Sequence, residues 1–169
     1  MSIKITNARL SFPNLFRKAS FQGNETKYEA TFIIPKAGNE KWYKDIMSQI
    51  DEATAQAKVK VTADKKFIKD GDTLDRPEYE NAWIIKAANN KRPTTIDRDR
   101  TVVVEEDEKF YAGCYVNASI DLWIQNNQFG KRVNANLLGI QFIKDGESFE
   151  GDFVAKADDF DDLGDDEDL

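Results

Sequence analysis

Residues 114–143, CYVNASIDLWIQNNQFGKRVNANLLGIQFI, decide how this chain folds. Successive side chains of a β-strand point to opposite faces. Cys114, Val116, Ala118, Ile120, Leu122 and Ile124 form one wholly apolar face, which belongs in a core. The opposite face carries Tyr115, Asn117, Ser119, Asp121, Trp123 and Gln125. In the second half, Val133, Ala135 and Leu137 oppose Arg132, Asn134 and Asn136. A polar break, NNQFG at 126–130, joins the halves and contains a glycine, so the stretch reads as a long β-hairpin.

Working outward, residues 3–12 and 27–34 are rich in β-branched and aromatic residues and read as strands. Pro35 closes the second, because proline cannot donate to a ladder. From Asn39 to about Lys60 the period changes, with Trp42, Ile46, Ile50, Ala53 and Ala57 at three- and four-residue steps, which predicts one amphipathic helix. Residues 62–81 lack a clear period and read as a loop with at most a short hairpin. AWIIKAA (82–88) is a strand, NNKRPTTIDRDR (89–100) a basic loop and TVVVE (101–105) a short strand. No internal repeat is present. The expectation is a mainly β chain, an OB-fold-like small antiparallel barrel with one inserted amphipathic helix and a disordered acidic C-terminal tail.

Charge divides the chain in two. Its 169 residues carry 24 Lys and Arg against 31 Asp and Glu, a net charge of −7. Residues 158–169 hold eight acids and no bases, so the rest has 24 bases against 23 acids. The expected organisation is a folded domain at 1–156 and a disordered tail at 157–169, too poor in apolar residues to offset its ordering entropy. A net charge of −7 therefore does not argue against nucleic acid.

What is missing narrows the chemistry. With no histidine and a single cysteine, Cys114, histidine-based nucleophile systems, histidine or thiolate zinc sites and iron–sulfur clusters are excluded within the chain. One thiol makes no internal bridge, no apolar run approaches a bilayer span, and MSIKITNARLSF alternates like a strand rather than a signal peptide. A cytoplasmic protein, with no membrane association, is expected. Asp70, Asp72 and Asp75 sit in a carboxylate-rich stretch, but Gly71 is misplaced for a calcium loop, so no metal and no cofactor are expected.

The polar face of the hairpin is the candidate site. Tyr115 and Trp123 offer π-faces on which bases stack, and Asn134 can reach base edges or sugars. Arg132 on the partner strand, with Lys86, Lys91 and Arg92 around the basic loop, supplies phosphate ligands, and Tyr111 a third stacking surface. The competing reading packs Tyr115 and Trp123 beneath the helix or a loop. The tail residues Asp158, Asp159, Phe160, Asp161, Asp162, Asp165, Asp166, Glu167, Asp168 and Leu169 mix carboxylates with apolar groups. Such a segment can imitate a string of phosphates in a DNA groove and dock on partner proteins.

FYAGCYVNASIDLWIQNNQFGKRVNANLLGIQFIKDGESFEG (110–151) resembles a phage single-stranded DNA-binding protein family, first catalogued as a phage family of unknown function. DGDTLDRPEYENAWIIKA, the KRP turn and ARLSFPNLF fit the same pattern, and the likeness spans most of residues 5–155. The resemblance implies an OB-fold protein that coats single strands in phage replication and recombination, with an acidic tail that contacts replication proteins of phage or host. It implies a binding protein rather than an enzyme, and leaves a homodimer open. Two alternatives stand beside it: a metal-dependent nuclease using carboxylates, and a DNA-mimic interaction protein without a groove.

Overall fold

The computed structural model describes residues 2–149. Five strands make a closed barrel: β1 (Ile3–Asn14), β4 (Tyr28–Pro35), β6 (Ala82–Asn89), β8 (Tyr115–Asn127) and β9 (Gly130–Lys144). Around the ring, β6 pairs with β4, β4 with β1, β1 with β8 and β8 with β9, all antiparallel. The ring closes from β9 back to β6 through a parallel pairing, Ala88 opposite Asn136. The expected antiparallel barrel is thus a mixed one, and its closing seam is short. The segment before β5 (Ile68–Asp70) fills the place where that seam opens: Lys66 bridges to Val133, and Ile68 pairs with Ile85.

The hairpin residues behave as their alternation requires. Cys114, Val116, Ala118 and Ile120 are buried, and Leu122 and Ile124 pack against the same core. Val133, Ala135 and Leu137 join them from β9, and Ile5, Leu10, Phe32, Ile34 and Ile85 come from the other strands. Burying one such side chain stabilises the fold by roughly 1.5–3 kcal/mol. The turn between β8 and β9 is tighter than the sequence suggested, two residues rather than five. Gly130 adopts φ +120°, which a side chain would oppose.

The helix α1 runs Glu40–Ala57 and ends at Lys58, whose left-handed φ of 56° terminates it two residues early. It buries Ile46 and Ile50, stacks Tyr43 on Trp83 at 4.1 Å, and donates the Trp42 indole N–H to the Lys4 carbonyl at 3.0 Å. A minor ribbon, β2 (Ser20–Phe21) with β3 (Asn24–Glu25), projects between β1 and β4.

Two local expectations fail. The short strand lies at β7 (Thr94–Ile96), inside the stretch read as a basic loop, and pairs in parallel with β9. TVVVE forms only a bridge, Val102 to Ile96, with Val103 buried and Val102 72 % exposed. Valine-rich composition misled here, because one inward side chain with two outward neighbours is only enough to cover the edge of β7. Residues 62–81 contain β5 and the 3₁₀ turns Ala63–Lys65, Gly71–Thr73 and Pro77–Tyr79 rather than a hairpin of their own.

Candidate nucleic-acid interface

The open flank of the barrel is the outer face of β4 and β6. Ala30, Phe32 and Ile34 of β4 and Trp83, Ile85 and Ala87 of β6 point inward. Alternation leaves Thr31 opposite Lys86, and Ile33 opposite Ile84, on the outside. The Ile33–Ile84 half is covered by Leu74 and Tyr79 from the segment 71–81. Burial pushes the Tyr79 phenol above its usual value, partly offset by a hydrogen bond with Ser11.

The Thr31–Lys86 half stays open as a groove of about 540 Å³. The hairpin contributes Trp123, Gln125, Arg132 and Asn134; the segment before and within β5 contributes Lys65, Lys66 and Lys69; Lys27 and Phe12 complete it. Six cationic side chains line the groove and, among the described residues, no carboxylate does. A body with 24 bases and 23 acids therefore concentrates positive charge on one surface.

Trp123 is 36 % exposed, with the Lys27 ammonium 5.8 Å from its ring centroid. It sits opposite Asn134, whose amide donates to Gln125 Oε1 at 2.8 Å, so polar groups on both strands flank the indole in a fixed arrangement. Phe12 reaches the groove by a distortion of β1. Its register against β4 shifts between Ser11 and Asn14, Phe12 takes φ 46°, and Pro13 cannot donate to the ladder. A bulky side chain at positive φ is strained, and such strain persists only where the surrounding structure over-determines it. The ring is 47 % exposed, with the Arg76 guanidinium 4.6 Å from its centroid.

Four of the eight residues singled out in the sequence meet here: Trp123, Lys86, Arg132 and Asn134. Tyr115, Tyr111, Lys91 and Arg92 lie elsewhere. Tyr115 and Trp123 share a strand face, but eight residues of strand separate them by about 26 Å. Tyr115 packs with Arg9 and Lys144, whose charged groups lie 5.5 and 4.8 Å from its ring. The Tyr111 hydroxyl bonds Asp145 and Gly146, and burial holds this phenol above its ordinary value. Arg92 lies over Phe16 at 4.9 Å and donates to Thr95, and the backbone of neighbouring Lys91 is fixed by Asn89. Missed by sequence reasoning were Phe12, Lys27, Lys65, Lys66 and Lys69; three of these fell in the stretch without a period. The only available signal was aromatic-proline in a strand and KK…K at 65–69.

The acidic cluster has another use. The Lys36 ammonium lies 2.7 Å from Asp70 and 2.9 Å from Asp72. Its hydrogen bond is the main cause lowering the Asp70 carboxyl below its usual value, while Asp72 is lowered first by the Asn81 N–H and then by Lys36. Among the described residues, no group of three His, Cys, Asp or Glu is arranged for a metal ion. The tail residues Asp158 to Leu169, and the domain boundary at 156, lie outside the described residues.

Over residues 1–169 the chain matches the model of a family described as the single-stranded DNA-binding protein of Enterobacter phage Enc34. The chain belongs to this family. A curated relative, putative protein p50 of Acyrthosiphon pisum secondary endosymbiont phage 1, is 34 % identical, over 96 % of this chain and 94 % of its own. The solved structure of the phage Enc34 single-stranded DNA-binding protein in complex with single-stranded DNA matches at 37 % identity and a TM-score of 0.82, covering 88 % of this chain and 89 % of that one. The bacteriophage T7 single-stranded DNA-binding protein gp2.5 matches at 13 % identity and a TM-score of 0.63, over 92 % and 97 % of the two chains, a likeness of fold alone. The Enc34 family and its structures are of single-stranded DNA-binding proteins, which are not enzymes. The mixed five-stranded barrel of this chain is accordingly an OB fold.

Proposed function

We propose that this chain coats single-stranded DNA during phage replication and recombination in the host cytoplasm, gripping the strand in the β4–β6 groove. The observation that carries the reading is one exposed indole, Trp123, on an open barrel flank with six cations and, among the described residues, no carboxylate. In OB folds generally, the face of the second and third strands, flanked by the first–second and fourth–fifth loops, takes oligonucleotides. Here those strands are β4 and β6, and the fourth–fifth loop is the tip of the β8–β9 hairpin. Trp123 stacks a base, Lys86, Arg132 and the Lys65–Lys69 group meet phosphates, and Asn134 meets base or sugar edges. Neither stacking nor phosphate pairing reads sequence, so most of the groove accepts any strand.

The acidic tail competes for this cationic groove when DNA is absent and is released to replication proteins when DNA binds. Its eight carboxylates complement the six cations, and Phe160, Leu163 and Leu169 offer apolar anchors to a partner. Titration of intrinsic fluorescence with poly-dT tests the groove. Trp123→Ala is expected to weaken binding by about 1–3 kcal/mol while its circular dichroism stays that of the parent. Unchanged affinity, or a variant that unfolds, would place Trp123 outside the interface.

A further inference from the structure

We propose that one end of the groove is a subsite for a single guanine base, formed by Phe12, Asn14 and Glu29; this rests on the groove reading above. A second depression, of about 470 Å³, is lined by Phe12, Pro13, Asn14, Glu29, Thr31 and Lys86. It shares Phe12, Thr31 and Lys86 with the main groove, so a strand lying in one continues into the other. It also introduces a carboxylate. In a track that binds phosphates, a negative charge opposes affinity, and a site serving only phosphates has no use for it.

The Glu29 carboxylate accepts no hydrogen bond and forms no ion pair among the described residues, although Lys86 lines the same depression. Glu29 and Asn14 are paired across β4 and β1, which places a carboxylate and an amide beside each other. Phe12 supplies the aromatic surface, held out by its bulge and its positive φ, and still open beyond the Arg76 guanidinium on it. Stacking surface, free carboxylate and amide together describe a base-reading pocket rather than a phosphate cradle.

Among the bases, guanine is the one that matches. Its N1–H and N2–H₂ donors are adjacent on the Watson–Crick edge and meet the two carboxylate oxygens in a bidentate, charge-assisted pair. Its O6 acceptor remains for the Asn14 amide or the Lys86 ammonium. Thymine offers one N3–H between two carbonyl oxygens, which the carboxylate repels. Cytosine and adenine each offer one amino group beside a ring-nitrogen acceptor.

The test compares the full chain on oligo-dT of about twelve nucleotides, on the same strand with one central dG, and on that strand with deoxyinosine at the position, which lacks the 2-amino group. The dG strand is expected to bind about fivefold tighter than oligo-dT, and the inosine strand to lose much of that gain. Glu29→Gln removes a charge from the phosphate track, so it should bind oligo-dT more tightly than the parent and show no gain from dG. Equal binding of the dT and dG strands by the parent overturns the subsite and leaves the groove standing. So does a dG gain that survives in Glu29→Gln. Failure to bind any of the strands overturns the groove itself.

Discussion

Two aromatic residues on one strand show how far a single side chain's fate depends on its place along the barrel. Alternation assigns Tyr115 and Trp123 to the same polar face, and both do leave the core. Yet Trp123 opens into the cationic groove, while Tyr115 lies against Gly146 and beneath two cations. At that end the chain crosses itself closely, since a Cβ at Gly113 would collide with the Glu147 carbonyl and one at Gly146 with the Gly113 carbonyl and the Tyr115 ring. Arg9 clasps the crossing by donating to the Gly113 and Glu147 carbonyls. Tyr115→Ala should therefore lower the melting temperature and leave the affinity of folded protein for poly-dT as it was; thermal melts and titrations on one preparation separate the two effects. The neighbouring Cys114 thiol is wholly buried, and burial raises its pKa, so native protein should resist thiol reagents until it unfolds.

At the scale of elements, what could be read from the sequence was what repeats. The period-two hairpin and the helix follow from apolar spacing, the two early strands from their β-branched and aromatic composition, and each is present. The segment 62–81 defeated the same reasoning because its role is set by neighbours, not by period. It covers Ile33 and Ile84, fills the opening seam beside β9, and carries Lys65, Lys66 and Lys69 to the groove. Likewise the bulge that turns Phe12 outward depends on the register of β1 against β4, which single-strand alternation does not reveal. Replacing all three lysines by alanine should flatten the dependence of log K on log salt by about 2, since each phosphate contact on a single strand contributes about 0.7. An unchanged slope would remove this segment from the interface.

The same segment carries a pH signature. Asp70 and Asp72 have carboxyls lowered from the ordinary 3.8, and Lys36 an ammonium raised from 10.5. A lowered carboxyl stabilises the fold above its ordinary value and loses that contribution as pH falls through the lowered one. A raised ammonium stabilises below its ordinary value and loses the contribution as pH climbs through the raised one. Hydrogen exchange at the Asn81 amide, which donates to Asp72, should accordingly quicken relative to the core below about pH 4, and Lys36→Met should reduce the effect without removing it, because the Asn81 N–H is the larger cause at Asp72.

For the molecule as a whole, the decisive property is the placing of charge rather than its sum. The bulk acidity describes the last dozen residues, and the near-neutral remainder gathers six cations on one flank. Composition alone separates the charge of the last dozen residues from that of the rest, whereas the groove needed the barrel to bring β1, β4, β6 and the hairpin together. If the tail competes with DNA, truncation after residue 157 should tighten binding to single strands at low salt, and the advantage should fade as salt screens both partners.

The location of the bound strand is tested most directly by photocrosslinking the full chain to a 5-iododeoxyuridine oligonucleotide and mapping adducts by mass spectrometry. Adducts at Trp123 and Phe12 are predicted. Adducts confined to Tyr111 and Tyr115, with Trp123 unmodified, would contradict the groove.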